Sequence, residues 1–432
     1  MKQPPNRRFF ARSVATVSWP LVAVLGAGLA LRLALLLVHT RSYGLAQFVQ
    51  WAHVLATLGT PGLYERIEPW QAGTLDYPPG FALVLLFVER VYELWAPAGD
   101  NPTLLAALWR VPPLLADIAS AAICYSIVMR YAARTQAVIA AAIATFAPWT
   151  WPLSAIAGQP ESICTMFSLL ALDYALDERY AAAWLALGAG TFVEPYPIVV
   201  APLLLAVQAR NEGVSLRLLA GPFIGCAIGY VLALPFAPSA IPLETVSWFE
   251  HVYRIARGLP VTSIDAANAW FAFAQPMLDT HIVFGLTLQT YGWLAFAVLE
   301  FFVIVVTLGR MTQANSRLAV ARVLVPAWFT VMLALFVVTT RMHASYLAYA
   351  LAVAPAIWPI GIWERRSVAM LTATYSASAI VPIWLPPEAS ELVLLVLRAI
   401  ALTNVATLAY VLVRFAAPPP KAVEDWGALR VP

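Results

Sequence analysis

Arg341 and His343 stand two residues apart at the mouth of an apolar run, a pairing that suits an anionic group such as a phosphate. An arginine stays charged, and its planar fork donates two hydrogen bonds to phosphate oxygens. A histidine donates when protonated, or orients a leaving group as the neutral imidazole. Arg110, between Trp109 and Pro112 at the start of another run, is a candidate for the same contact. A hydroxyl that attacks beside such a group needs a carboxylate to take its proton. Asp76, held by the Tyr77-Pro78-Pro79 turn, is the best acid for that task, with Glu65, Glu68 and Glu161 as others. Gln159, Asn268, Tyr77 and Trp51 complete the polar and aromatic set. Each signal also has a plain structural reading. Arg341 and Arg110 suit interface anchors that reach for lipid phosphate. Asp76 suits a cap on the helix that the two prolines open.

The elements that must position these residues are membrane helices. Of 432 residues, 61% are hydrophobic and 11% charged, against the roughly 25% charged of a soluble domain. Stretches of about 20 apolar residues, enough to cross a bilayer core, recur along the chain. Lipid offers no partner to backbone polar groups, so such runs close their own hydrogen bonds as helices. They lack barrel-like alternation. A net charge of +3, with basic residues scattered through loops, does not point to nucleic acid. Cys124, Cys164 and Cys226 have no CxxC spacing and read as small buried hydrophobes, so no metal site is expected.

Lys2, Arg7, Arg8 and Arg12 precede the first run, Trp19 to Val38, which reads as a retained span with a cytoplasmic N-terminus. Further spans are expected near 108–129, 136–153, 160–176, 217–236, 287–309, 318–338, 346–363, 367–386 and 391–413. A hairpin of 181–193 and 195–208 is expected to break at Glu194-Pro195, since proline removes a helix hydrogen bond and turns the preceding residue away from the α region. The stretch Pro79 to Trp95 contains Glu89, Arg90 and Glu93 and reads as an amphipathic helix at the outer interface. The sum is about twelve crossings. With that count Arg130, Arg134, Arg179, Arg210, Arg217, Arg310, Arg317, Arg365, Arg366, Arg414 and Lys421 all lie in the cytoplasm.

The division is a cytoplasmic segment 1–17, one transmembrane domain 18–415 with exterior loops at about 39–107 and 237–286, and a polar cytoplasmic tail 416–432. The polar constellations then gather on the outer face, where several converging polar groups usually mean a site. Asp117 and Asp173 lie inside apolar runs and should face the bundle interior, where each finds a partner or is protonated. Trp149, Trp151, Trp248, Trp270 and Trp384 read mostly as interface anchors.

A series of ordered motifs carries a resemblance. Phe48, Trp51, Gly59 and Tyr64 precede Leu75-Asp76-Tyr77-Pro78-Pro79, and Arg110-Val111-Pro112 leads to Ala116-Asp117. Gly158-Gln159-Pro160-Glu161-Ser162, Ala267-Asn268-Ala269-Trp270 and Arg341-Met342-His343 follow, with Ser345-Tyr346-Leu347 continuing the last. From about Leu21 to about Pro359 the chain resembles the GT-C glycosyltransferases, in particular bacterial relatives of the dolichyl-phosphate-glucose glucosyltransferases. The resemblance implies an all-α, polytopic GT-C-like bundle. It implies transfer of a hexose, mannose or glucose, from a polyprenyl-phosphate sugar donor to a lipid-linked or membrane-proximal acceptor on the noncytoplasmic face. Membrane lipids are the surroundings, and no cofactor is implied.

The chain departs from the family at three positions. The usual catalytic aspartate falls at Gly44, and no acid lies between Arg41 and Trp51; Glu194 stands where relatives carry lysine; Ala344 replaces a glutamate. Two other functions therefore stay open. One is a catalytically inactive relative in cell-envelope glycan assembly, which the glycine favours. The other is a lipid or solute transporter, which should show matching broken helices in two halves, whereas only the Glu194-Pro195 break is visible. The scarcity of lysine beside arginine suggests a bacterial plasma membrane.

Overall fold

Prolines open many of the helices, because the first turn of a helix does not use their missing N–H. The structure, a computed structural model, describes residues 18–37, 43–59, 75, 77–96, 101–237, 260–274, 276–314, 316–384 and 390–417. Within these, α1 (Trp19–Leu35) is followed by α2 (Tyr43–Leu58), α3 (Pro79–Trp95) and α4 (Pro102–Val128). Next come α5 (Arg134–Phe146), α6 (Glu161–Leu176), α7 (Tyr180–Val193), α8 (Ala201–Glu212) and α9 (Ala220–Ala233). The short α10 (Ala269–Phe273) precedes α11 (Leu288–Gln313), α12 (Arg317–Val338), α13 (Leu347–Ile357), α14 (Ile362–Trp384) and α15 (Ser390–Ala416). Side-chain oxygens cap several N-termini: Asn101 accepts from the Leu104 N–H at 3.1 Å, Thr287 from Thr290 at 3.2 Å and Ser316 from Ala319 at 3.2 Å.

Among the described residues, four helices are long and apolar enough to cross a membrane: α4, α11, α12 and the stretch Glu391–Ala416 of α15. Their burial differs sharply. In α12 every residue from Leu324 to Val337 is buried, so this helix, apolar on all sides, is the axis of the core. Trp328 donates to the Ser168 hydroxyl of α6 at 3.0 Å from its centre. In α11 and α15, by contrast, Val298, Phe301, Leu395 and Val413 are each about two-thirds exposed. Rows of exposed Val, Leu and Phe are costly in water and at home in lipid. The chain is therefore a membrane protein.

The expected break is present: α7 ends at Val193, Glu194 is extended, and a 3₁₀ turn, Tyr196–Val200, leads into α8. One expected span is different. The run 136–153 does not form a single helix, because α5 stops at Phe146 and Ala147 is extended, with ψ 145°. Pro148 is the reason, since proline clashes with an α conformation in the residue before it. The chain then re-forms as a π-type turn, Pro152–Ala157. The runs 217–236 and 346–363 are likewise shortened to α9, with a 3₁₀ turn at each end, and α13, with one before it.

Among the described residues between α9 and α13, four two-residue strands stitch the segments together. β1 (Ser263–Ile264) pairs in parallel with β4 (Met342–His343), Ile264 opposite His343. β2 (Ile282–Val283) and β3 (Leu286–Thr287) form an antiparallel hairpin. Two buried carboxylates inside the bundle have the partners that a low-dielectric position demands. Asp117 of α4 accepts from Arg32 of α1 at 3.2 and 3.3 Å, and Asp173 of α6 accepts from Arg130. Arg130 also holds Asp177, at 2.9 and 3.2 Å.

Candidate functional site

The segment Thr339–Tyr346, between α12 and α13, gathers the polar groups. Arg341 has φ of +63°, a left-handed conformation that a non-glycine residue adopts only when its surroundings impose it. Two sets of bonds do so. Its backbone N–H donates to the Val261 carbonyl at 3.0 Å, and its guanidinium grips Asp279, Nε to Oδ2 at 2.6 Å and Nη2 to Oδ1 at 3.1 Å. Asp279 is wholly buried and also accepts from the Thr340 hydroxyl at 3.0 Å.

His343 follows on β4, beside Asp265. The His343 Nδ1 lies 3.8 Å from Asp265 Oδ1, the same oxygen that accepts from the Ala344 N–H at 3.0 Å. Burial pushes the imidazole below its ordinary value, with the Asp265 carboxylate acting in the opposite direction. Burial raises the Asp265 carboxyl, opposed by the Ala344 N–H and by His343. The imidazole ring stands edge-on to Tyr346 at 5.2 Å between centroids.

Tyr346 is the hub of a second cluster. Its ring lies 4.4 Å from that of Tyr196 and 5.8 Å from that of Tyr349, and Tyr77, Glu161 and Glu194 are all within electrostatic reach. The Ser345 hydroxyl faces the Glu161 carboxyl at the first turn of α6. Glu194, left exposed to side-chain partners by the break after α7, accepts from the Tyr349 hydroxyl and from the Cys164 thiol at 3.7 Å. Residues from four separate stretches thus come together where α6 and α13 begin and α7 ends.

The remaining predicted residues sit around this cluster in different ways. Tyr77, half-buried, stacks on Phe81 at 4.2 Å. Trp51 is buried behind it, with ring centroids 5.7 Å from Phe48, 6.0 Å from Tyr77 and 6.2 Å from Phe81. Gln159 is half-buried in the turn before Glu161, its N–H on the Leu153 carbonyl at 2.9 Å. Arg110 donates to three carbonyls, Ala106 and Ala155 at 3.1 Å and Leu36 at 2.9 Å, and so joins α1, α4 and the π-type turn. Asn268 is fully buried: its Oδ1 caps α10 by accepting from Phe271 N at 3.1 Å, and its Nδ2 donates to the Thr339 carbonyl at 3.2 Å. It therefore clamps the 260s loop to the end of α12. Asp76, Glu65, Glu68, Tyr64 and Trp248 lie outside the described residues.

Two partners escaped sequence reasoning, Asp279 and Asp265. Each is an acid in the second expected exterior loop, opposite a basic residue already singled out. That complementarity of sign was the available signal. Tyr196 and Tyr349 carried none, being aromatic residues in apolar surroundings.

No protein-family model matches the chain, and no curated protein is similar to it in sequence. Among solved structures, the chain is similar to the archaeal oligosaccharyltransferase AglB from Archaeoglobus fulgidus in complex with an inhibitory peptide and a dolichol-phosphate, at 12% identity and a TM-score of 0.45, over 96% of this chain and 58% of that one. The apo form of the Archaeoglobus fulgidus oligosaccharyltransferase gives 12% and 0.46, over 96% and 59%. Its form tethered to an acceptor peptide containing the NVT sequon gives 14% and 0.40, over 95% and 57%. The chain spans less than two thirds of the length of these structures.

Proposed function

We propose that this chain is a GT-C-type membrane glycosyltransferase of about twelve crossings, with both termini in the cytoplasm. It transfers a hexose, mannose or glucose, from a polyprenyl-phosphate donor to a lipid-linked or membrane-proximal acceptor at the outer face. What supports the reading most is the meeting around Tyr346 of three motifs far apart in sequence: Tyr77 of the Asp76-Tyr77-Pro78-Pro79 turn, Glu161 after Gln159, and His343 after Arg341.

In this reading Arg341, oriented by Asp279, and His343, oriented by Asp265, receive the phosphate of the donor and the charge that grows on it as the glycosidic bond breaks. Asp76 takes the proton of the acceptor hydroxyl. Tyr77 presents an aromatic face to the sugar from its seat on Trp51, and Glu161 offers a hydrogen-bond acceptor beside it. Gln159, Arg110 and Asn268 hold the turns that carry these groups.

The test is transfer from polyprenyl-phosphate mannose and polyprenyl-phosphate glucose by wild-type protein, Asp76→Asn and Arg341→Ala. Loss of turnover by at least a hundredfold in each variant, with the protein still folded, is expected. Undiminished transfer by both removes the site assignment. Absence of transfer by the wild type with either donor favours the inactive relative, to which Gly44 points.

A further inference from the structure

A second polar locus lies deeper in the bundle, between α4, α6, α13 and the turn after α5. A small cavity there is lined by Asp117, Ser120, Trp149, Thr150, Glu161 and Thr165, among others. Three side-chain atoms of these lining residues, Ser120 Oγ, Trp149 Nε1 and Glu161 Oε2, are buried and make no hydrogen bond to the described residues. The residues that carry them are 9%, 3% and 2% exposed. A buried polar atom left without a partner costs about 1–3 kcal/mol, and three around one space point to a shared occupant.

Size and chemistry together identify that occupant. The cavity offers about 20 Å³ to the centre of a water-sized sphere, and a single water needs roughly 10–15 Å³ by that measure. The indole N–H can only donate, an ionised carboxylate can only accept, and a hydroxyl does either. A water accepts from Trp149, donates to Glu161 and bonds Ser120, which is the usual three partners of an internal water. A monovalent cation would face the indole hydrogen and be repelled by it.

We infer that this cavity is a specific internal water site shared by Ser120, Trp149 and Glu161, beside the Asp117–Arg32 ion pair. Ser162 adjoins Asp117 on the same wall, and the Ser154 hydroxyl donates to Asp117 from the π-type turn. The water thus joins α4, α6 and the turn through one hydrogen-bonded node. It also sets the rotamer of Glu161, holding one oxygen inward while the carboxyl meets Ser345 on the outer side. The inference does not depend on the glycosyltransferase reading.

X-ray radiolytic labelling read by mass spectrometry tests it, because hydroxyl radicals made from a bound water label the side chains around it. Trp149 in full-length wild-type protein is expected to label at least fivefold faster than Trp328, which is equally buried but has its N–H on Ser168. Ser120→Val, which fills the cavity, should bring Trp149 down to the Trp328 rate. Ser120→Ala, which removes one of the three partners without adding bulk, serves if that variant does not fold, and should lower the rate at least twofold. Equal labelling of the two tryptophans in the wild type overturns the site. A melting temperature that rises by several degrees when sodium replaces a bulky organic cation, and no longer does so in Glu161→Gln, overturns water in favour of a metal ion.

Discussion

Arg341 reaches Asp279 across 62 residues of sequence with two hydrogen bonds, at 2.6 and 3.1 Å, while its own backbone sits at a φ of +63°. A strained conformation of this kind costs about 1–3 kcal/mol and persists because the bonds around it over-determine it. Here the Val261 carbonyl holds the backbone and Asp279 holds the tip. A flexible arginine is thereby converted into a fixed one at the head of β4.

Arg341→Ala leaves the fully buried Asp279 without its counter-charge, and breaking one partner of a buried pair costs about 3–5 kcal/mol. Thermal unfolding in detergent should show a drop of that order. Arg341→Ala combined with Asp279→Ala should be milder than the sum of the two single changes, since the stranded charge is gone. Additive losses in this cycle would mean that the pair is not coupled.

His343 should titrate below the ordinary imidazole value of 6.5, because burial outweighs the carboxylate beside it. Asp265→Asn removes the one group that raises it, so the imidazole should move lower still. Nitrogen NMR of labelled histidine follows both. The sign for stability is set by the same shift. The unfolded chain binds this proton more tightly, so folding loses stability as pH falls from 6.5 through the folded value. An upward move of the imidazole in Asp265→Asn would contradict the pairing seen at 3.8 Å.

Gly158 has φ of +66°, and a Cβ there would meet Trp109 Cδ1 at 3.0 Å and Arg110 Cγ at 3.1 Å. Trp109 Nε1 also donates to the Gly158 carbonyl at 2.8 Å, so the indole cannot simply retreat. Gly158→Ala should destabilise by about 1–2 kcal/mol from the backbone conformation alone, with the contact adding to it. Denaturant unfolding monitored by tryptophan fluorescence reads both the loss and the displaced indole. An unchanged midpoint would show that the turn relaxes without cost.

Asn268→Ala removes a cap worth about 1 kcal/mol together with the bond to the Thr339 carbonyl. Asn268→Asp keeps the cap but turns a donor into an acceptor facing that carbonyl. Aspartate should therefore rescue little or nothing, in contrast to an ordinary exposed cap. Melting temperatures of the two variants decide this, and recovery to the wild-type value by aspartate would show that the Thr339 bond carries no weight.

Much of the fold was already set by local patterns. Helix after helix follows from runs of apolar residues, and Pro195 and Pro148 stop helices where they stand because ring geometry acts on the preceding residue and needs no tertiary partner. The Pro148 stop was equally readable, yet a long apolar average across 136–153 hides a break that one residue makes. Arg341, His343, Glu161 and Tyr77 could be singled out as candidates because polar groups at the edge of apolar runs are costly without a purpose. Which acid faces which base was not. Asp279 lies 62 residues from Arg341, and Asp265 lies 79 from the Ala344 N–H it holds. Ion pairs have no sequence period, and one carboxylate in a loop reads like any other. Only the docking of the 260–287 segment against the end of α12, pinned by Asn268 and two short strands, decides that Arg341 is fixed by a buried carboxylate and that His343 shares its neighbour with a backbone N–H.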